Sequence, residues 1–434
     1  MRDITHARVL KIAVPIVLAN ATVPILGAVD TGVVGQLGQA APIGAVGLGA
    51  IVLVSIYWIF SFLRMGTSGL VAQAKGAGDS AEVAANLSRA LLVAAAAGLV
   101  IVVAQVPLFA GAFALAPASD EVEGLARDYM QIRIWGAPAT IALYAVTGWL
   151  IALERTRGVL LLQLWMNALN IGLDLWFVLG LGWGVEGVAI ATLIAEWTGL
   201  ALGLWLCRDA LAGGYWRDRA RVFDAVRLRR MLAVNSDIML RSVMLQASFT
   251  SFVFLGARMG DVTLAANQVL LQFLELTAFA LDGFAFAAEA LVGQAVGARS
   301  RGRVRRAAII TSQWGVGGAA LLALCYWLAG PVIVDLMATS PEVRAEARQF
   351  LPWIAAAPLI GVTSWMLDGI FIGATRTREM RNAMLVSAGV YVAAVAVLLP
   401  VFGNHGLWAA LMVLNAVRGL TMAALYPRVE RAAA

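Results

Sequence analysis

Residues 73–78 read Gln-Ala-Lys-Gly-Ala-Gly, and residues 294–299 read Gln-Ala-Val-Gly-Ala-Arg, 221 positions further along the chain. Two further segments repeat at the same offset: Ala126-Arg-Asp-Tyr with Ala347-Arg-Gln-Phe, and Arg155-Thr-Arg with Arg376-Thr-Arg. Each match is weak alone, but three at one offset indicate an internal duplication. Each copy occupies about half of the 434 residues.

The composition excludes a water-soluble protein. Hydrophobic residues make up 61% of the chain and charged residues only 13%, whereas soluble domains carry roughly 25% charged residues. A soluble enzyme, a disordered protein and a nucleic-acid-binding module are therefore excluded. Cys207 and Cys325 lie far apart in apolar stretches, and the chain has two histidines, so neither a disulfide framework nor a His-based metal centre is expected. The sequence indicates an all-α polytopic membrane protein.

Twelve apolar stretches are long enough to cross a bilayer, which takes roughly 20 residues. They lie at about 10–34, 43–70, 87–116, 126–153, 159–181, 186–207, 230–256, 263–294, 306–337, 347–373, 382–402 and 405–426. This count divides the chain into a six-helix lobe at 1–207, a cytoplasmic linker at 208–229 and a second six-helix lobe at 230–434. An even number of spans per copy gives both lobes one orientation, so they are expected to be related by an axis along the membrane normal. Two such bundles are typical of an alternating-access transporter.

The basic residues predict the orientation. By position, 26 of the 32 fall in one set of loops and ends, and cytoplasmic loops are the ones enriched in Lys and Arg. Both termini are therefore expected in the cytoplasm. The net charge of +6 follows from this topology and does not indicate a nucleic-acid partner. We expect a monomer whose partners are membrane lipids and a small organic substrate.

Polar residues inside the first six spans are candidates for ion coupling, because ionisable groups in a bilayer are costly. Asp30 follows Pro24, a residue that permits a helix kink, by six positions. Asn170 and Asp174 share one face of span 5 at i, i+4, and Thr192 lies in span 6. Their oxygens could bind a hard cation such as Na⁺, or the two carboxylates could carry a proton. The residues leave both uses open, and polar pairs such as Asn170 and Asp174 also serve as interhelical glue.

The second half carries a different polar set. Glu275 and Asp282 are spaced by seven on span 8, and Asp368 lies in span 10. These three are candidates for the wall of a cavity. Asp237 and Arg241, at i, i+4 in span 7, are predicted to form a structural ion pair, since opposite charges in lipid pair with each other.

Several motifs resemble those of the multidrug and toxic compound extrusion (MATE) family, with the best match in its DinF branch. They are Pro-Ile-Leu-Gly-Ala-Val-Asp-Thr-Gly at 24–32, Leu-Asn-Ile-Gly-Leu-Asp at 169–174 and Leu-Asp-Gly-Ile-Phe-Ile-Gly-Ala-Thr-Arg at 367–376. The resemblance implies the MATE fold and an exporter of cationic or amphipathic compounds, driven by H⁺ or Na⁺ antiport without a cofactor.

The resemblance also implies roles for particular residues. The span-1 aspartate that is central to coupling in the family maps to Asp30, and the family's first-lobe cation site maps to Asp30, Asn170, Asp174 and Thr192. In other branches a second-lobe carboxylate cluster performs the coupling. Its span-7 glutamate has no clear counterpart here, because Asp237 lies nearer the start of that span.

Two other classes of function fit the sequence less well. A flippase for lipids or lipid-linked precursors would be expected to line its cavity with cations, but Arg241 is the only base placed deep in a predicted span. An intramembrane enzyme is not expected, because the H-E-x-x-H and G-x-S-x-G motifs are absent. The Walker A motif is absent too, so ATP is not expected to drive transport directly. In the antiporter hypothesis, a cation that neutralises Asp30 and Asp174 lets span 1 bend near Pro24.

Overall fold

The computed structural model describes residues 3–36 and 38–433, and these residues form helices and connecting turns without a β-strand. Twelve helices are long and apolar enough to cross a membrane. We number them α1 (His6–Gly35), α2 (Ala40–Gly76), α3 (Ser80–Val103), α4 (Asp120–Ala152), α5 (Thr156–Gly180), α6 (Gly184–Leu206), α7 (Ala225–Ala257), α8 (Asp261–Gly297), α9 (Arg301–Met337), α10 (Pro341–Gly373), α11 (Thr377–Phe402) and α12 (Asn404–Arg431). The predicted twelve-span, all-α architecture is confirmed.

The third predicted span, 87–116, is longer than the helix that crosses. α3 ends at Val103, and a separate short helix, Gln105–Leu115, follows a turn at Ala104. Pro107 explains the break, because proline has no N–H to donate to the carbonyl four residues earlier, that of Val103.

The helices pack into two compact units. One consists of Leu18–Val71 and Asp79–Arg230; the other consists of the described residues up to Val17, then Ala72–Gly78, and the chain from Met231 onward. Residues 208–229, predicted as a linker, therefore belong to the first unit. They include two short helices, Arg208–Ala212 and Arg219–Val222.

A buried arginine attaches this linker segment to α3. Arg89 donates hydrogen bonds to the carbonyl oxygens of Arg221 (2.8 Å) and Val222 (3.0 Å) and pairs with Glu82 at 2.7 Å. A guanidinium fits this position because its several donors can satisfy carbonyls and a carboxylate together. The segment is thus a packed part of the first unit.

Equivalent helix ends show the predicted duplication in the backbone. Glu154 after α4 and Thr375 after α10 both have positive φ, 61° and 50°, at the offset of 221 residues. The following amides bond back across the end of each helix, Arg155 to Leu150 at 2.8 Å and Arg376 to Phe371 at 2.9 Å. Because non-glycine residues rarely adopt this conformation, its recurrence at one offset supports a common origin of the two halves.

The repeated Gln73 and Gln294 motifs meet in the second unit. A Cβ on Gly76 would lie 2.0 Å from the carbonyl oxygen of Gln294, and a Cβ on Gly297 would lie 2.0 Å from that of Gln73. The side-chain amide of Gln73 also donates to the carbonyl of Gly373 at 3.2 Å. The two glycines are therefore required by a reciprocal close crossing of α2 and α8.

Replacing either glycine of this crossing is expected to destabilise the protein. Gly76→Ala and Gly297→Ala both place a methyl group against backbone that cannot rotate away, and overpacking of this kind costs about 1–3 kcal/mol. The measurement is the thermal unfolding midpoint in detergent. Gly317→Ala in α9, where an added Cβ meets nothing within 4 Å, is the matched control. Equal midpoints for all three variants would contradict the close crossing.

Candidate functional site

Two helices that contain predicted ion-coupling residues, α1 and α5, are irregular next to those residues. α1 consists of His6–Ala21 and Val23–Gly35, interrupted at Thr22, two residues before Pro24. α5 changes to a π-helical turn over Leu175–Gly180, immediately after Asp174. Interruptions of this kind free backbone groups and are frequent at functional sites.

All four residues predicted for the first-lobe site lie together. Asn170 donates through Nδ2 to Asp174 Oδ2 at 3.1 Å and to Thr192 Oγ1 at 3.3 Å. Thr192 in turn donates to the carbonyl of Val188 at 3.0 Å. The carboxyl groups of Asp30 and Asp174 are within hydrogen-bonding reach of each other. The cluster thus joins α1, α5 and α6.

This cluster has buried oxygens without partners. Asp174 and Asn170 are buried, with 0% and 1% of their surfaces exposed, and Asp30 is half-buried. One oxygen of each, Oδ1 in all three residues, accepts no hydrogen bond from the described residues. Buried acceptors are normally satisfied, so interhelical glue alone does not explain them. The arrangement can bind a proton between the carboxyls or a small hard cation among the oxygens.

A buried ion pair that the sequence reasoning missed lies beside this cluster. Arg133 of α4 donates to Glu196 of α6 at 2.7 Å, and both are 6% exposed. The hydroxyl of Tyr57 donates to the backbone carbonyl of Arg133 at 3.2 Å. Span 4 was predicted to begin at 126, which put Arg133 only about two turns from its start and left it out of the deeply placed bases. The helix begins at Asp120, which places Arg133 almost four turns inside it.

In the second unit the predicted Asp237–Arg241 ion pair is wrong, because each residue has a different partner. Asp237 pairs with Arg381 at 2.6 Å and accepts from Thr377 at 3.2 Å. Arg241, buried one turn deeper in α7, donates to Asp368 of α10. The start of α11 brings Arg381 to Asp237, while Arg241 is reached by an acid on a neighbouring helix.

Asp368 is the acceptor for two arginines. Besides Arg241, it accepts from Arg418 of α12 at 2.6 Å, and Arg418 also donates to Asn415 at 3.2 Å. Exposures of 8% for Asp368 and 2% for Arg418 make this a buried charge cluster. Arg241 is therefore not the only deep base, since Arg133 and Arg418 are buried too. All three hold carboxylates, so they do not form the row of free cations that a pyrophosphate-binding cavity needs.

A cavity of about 370 Å³ lies in the second unit. Its wall combines one carboxylate with amides, aromatic rings and aliphatic side chains: Glu275, Gln246, Gln268, Gln272, Phe249, Trp365 and Leu245 among others. Neither Asp282, which is half-buried in α8, nor Asp368 is among the described residues that line it. Of the three predicted cavity acids, only Glu275 is in this wall, because Asp368 faces its two arginines instead.

A duplicated set of twelve helices able to cross a membrane, with buried ionisable clusters, is typical of polytopic membrane transporters. The family model described as MatE matches residues 15–176 and, a second time, residues 238–398. The chain therefore belongs to the MatE family of multidrug and toxic compound extrusion transporters. It is a transporter and not an enzyme, and transporters of this family need no cofactor.

The chain is similar to DNA damage-inducible protein F of Escherichia coli (strain K12), with 41% identity over 421 residues covering 96% of this chain and 91% of that protein. A probable multidrug resistance protein NorM from Synechococcus sp. is 28% identical over 382 residues, covering 83% of this chain and 78% of the relative. Among solved structures, the Vibrio cholerae MATE transporter VcmN, crystallised in the bent form, matches with a TM-score of 0.86 at 19% identity, covering 99% of this chain and 97% of that one. A MOP superfamily transporter from Pyrococcus furiosus matches with a TM-score of 0.85 at 19% identity, covering 98% and 96%. These structural matches show the fold.

Proposed function

We propose that this protein exports cationic or amphipathic organic compounds in exchange for H⁺ or Na⁺, which binds at Asp30, Asn170, Asp174 and Thr192. The observation that carries the proposal is the set of three buried side-chain oxygens without hydrogen-bond partners, one each on Asp30, Asn170 and Asp174. A coupling ion would satisfy them. Because H⁺ and Na⁺ both fit this donor set, the ion must be identified by experiment.

The break in α1 supports a mechanism for the exchange. Asp30 lies six residues after Pro24, and the helix is already interrupted at Thr22. When both carboxyls are charged, they repel each other; a bound cation or proton removes that repulsion. We propose that α1 then bends at Thr22–Pro24, because its backbone hydrogen-bond ladder is weakest there.

The orientation belongs to the same proposal. The segment at 208–229 and the connections at 299–306 and 376–381 together contain 14 of the 32 basic residues, which supports a cytoplasmic location for them. Both termini then lie in the cytoplasm, with the protein in the bacterial inner membrane. We propose a monomer as the working unit, since each predicted site is contained within one chain.

The cavity of the second unit is the proposed place of substrate contact. Glu275 supplies a negative charge and Trp365 and Phe249 supply aromatic faces, which together favour a planar organic cation. Glu275→Gln is expected to weaken binding of a fluorescent cationic dye by about tenfold, the equivalent of roughly 1.4 kcal/mol. Dye binding to purified protein by fluorescence polarisation measures this. Glu342→Gln at the start of α10 is the control, and equal affinities would remove Glu275 from the substrate site.

The proposed function is tested with proteoliposomes loaded with the same dye. A pH gradient and a Na⁺ gradient are imposed separately, with protein-free vesicles as the blank. Dye movement with the pH gradient alone identifies proton antiport, and movement with Na⁺ alone identifies the cluster as a sodium site. No movement under either gradient for several cationic dyes would reject export of organic cations.

A further inference from the structure

We propose that the segment at 215–229 binds the headgroups of anionic phospholipids, with arginines pairing with lipid phosphates and apolar side chains entering the boundary of the acyl chains. The proposal goes beyond the export of organic compounds and does not depend on which ion or substrate the protein carries. It takes the proposed orientation as given, which puts these headgroups in the cytoplasmic leaflet.

The segment packs along the start of α3, a helix that is long and apolar enough to cross the membrane. Two of its short helices, Tyr215–Arg217 and Arg219–Val222, lie beside α3. Arg89, which binds the carbonyl oxygens of Arg221 and Val222, is in the third turn of α3. Because side chains of a helix point toward its N-terminus, the segment lies beside the first turns of α3 and not beyond its end. This is the level of the lipid headgroups.

The segment also exposes large apolar side chains. Val222 is buried, whereas Phe223 and Val226 are 61% and 79% exposed, and the ring of Tyr215 is exposed as well. Transfer of such side chains out of water is favourable, and aromatic residues are enriched where a membrane meets water. Exposed apolar side chains at the level of the headgroups therefore favour contact with lipid over contact with water.

Three arginines of the segment keep their charge for a ligand. Arg217, Arg219 and Arg229 are exposed, and none of them forms an ion pair with a carboxylate in the described part of the chain. The guanidinium of Arg217 lies over the ring of Trp216, 4.3 Å from the ring centroid, which leaves its N–H donors unused. Such donors suit phosphate oxygens, which a guanidinium can bind two at a time.

The other charges of the segment are engaged within the protein. Arg221 and Arg227 pair with carboxylates at the start of α3. Asp218 and Asp224 accept hydrogen bonds from the backbone amides of these two arginines, at 3.2 Å and 2.8 Å. The ion pairs hold the segment in place, and its surface keeps an excess of positive charge beside the apolar side chains. This combination favours anionic over zwitterionic lipid.

The lipid preference is tested with full-length protein in detergent micelles. Phosphatidylglycerol added to the micelles should raise the thermal unfolding midpoint, because a ligand of the folded state stabilises it, and phosphatidylcholine should raise it less. Each arginine at an anionic surface contributes about fivefold to affinity. The triple variant Arg217→Gln/Arg219→Gln/Arg229→Gln should therefore bind phosphatidylglycerol about 100-fold more weakly, so that its response falls to that seen with phosphatidylcholine.

The matched control is Arg157→Gln/Arg258→Gln/Arg378→Gln. It removes three other exposed arginines that form no ion pair with the described residues, but these lie in three separate connections. Its response to phosphatidylglycerol should equal that of the wild type. Glycerol phosphate, which has the phosphate group without acyl chains, should leave the midpoint unchanged. An equal rise with glycerol phosphate would identify a site for a soluble anion and overturn the proposal.

A second readout locates the apolar side chains relative to the bilayer. A spin label is attached through Val226→Cys in protein that also carries Cys207→Ala and Cys325→Ala, and the protein is placed in nanodiscs containing phosphatidylglycerol. The label should be more accessible to O₂, which concentrates among acyl chains, than to a water-soluble nickel chelate. A label attached through Ala118→Cys, in the exposed connection before α4, gives the water-accessible reference.

Loss of the phosphatidylglycerol response in the triple variant alone supports the proposal. An unchanged response in that variant, or a label at position 226 as accessible to nickel as the reference, overturns it. If the triple variant does not fold, the wild type in about 1 M salt decides, because screening over about 3 Å weakens arginine–phosphate pairs; a preference that persists there overturns the proposal. Neither readout uses an ion gradient or a transported dye, so a failure of the proposed export leaves this test intact.

Discussion

Asp30→Asn protein in proteoliposomes is expected to show dye efflux no faster than protein-free vesicles, whichever gradient drives the wild type. Asparagine can neither accept the coupling proton nor supply the negative charge that a Na⁺ ion needs. A unit charge lost at about 4 Å costs about 4 kcal/mol at an effective dielectric constant of about 20, which lowers occupancy of the site by about 1,000-fold. Efflux rates at matched protein content measure the effect.

The control for this substitution is Asp120→Asn, which changes the same functional group at the exposed start of α4. It should transport at the wild-type rate. The Asp30→Asn protein should also keep its thermal unfolding midpoint. The substitution removes the charge repulsion between the neighbouring carboxylates of Asp30 and Asp174, so it does not destabilise the fold. Coupled transport by well-folded Asp30→Asn would remove Asp30 from the coupling mechanism.

The second large effect is expected on stability, at Asp368. Asp368→Asn removes the carboxylate that holds Arg241 and Arg418, and leaving buried charge uncompensated typically costs about 3–5 kcal/mol. The variant should therefore unfold at a clearly lower temperature in detergent than the wild type. Its loss of transport, if any, should follow its loss of folded protein.

Two further variants isolate the cause at Asp368. Asp368→Asn combined with Arg418→Gln also removes one of the two guanidinium charges that pair with Asp368 in the wild type. The double variant should therefore recover part of the lost stability. Asp261→Asn, at the exposed start of α8, should change the unfolding midpoint little. A fully stable Asp368→Asn protein that binds dye poorly would contradict this structural role and support a role of Asp368 in substrate binding.

Much of the fold could be predicted because its causes are local. Apolar runs of sufficient length define the spans, and repeated motifs at one offset define the duplication. The third span was predicted too long, since a run of apolar residues does not reveal that a new helix begins at Gln105, two residues before Pro107. The 208–229 segment was predicted as a linker because its polarity resembles a loop. Its packing depends on Arg89, Asp79 and Glu82, which are distant in the sequence and so give no local signal.

The contacts of the candidate sites likewise fall into two groups: those along one helix, which spacing predicts, and those between helices, which it does not. Asn170 and Asp174 could be paired from spacing on one helix, and the family resemblance joined them to Asp30 and Thr192. Partners on different helices could not be predicted from spacing, which is why Asp237 was matched to Arg241 instead of Arg381. Arg133 and Arg418 were grouped with the flanking loops although they lie inside the predicted spans 126–153 and 405–426, because each is close to the end of its span. The sequence alone does not show that either arginine is buried. That becomes clear only when its carboxylate partner on another helix, Glu196 or Asp368, is known.

The proposed ion site and the proposed substrate cavity belong to different compact units: one within Leu18–Val71 and Asp79–Arg230, the other within Met231–Ala434. Ion and substrate would then not compete for one carboxylate. Exchange between them becomes a thermodynamic linkage, in which each ligand changes the affinity of the other through the conformation of the whole protein. Such linkage is reciprocal: a saturating dye would weaken ion binding by the same factor by which the ion weakens dye binding.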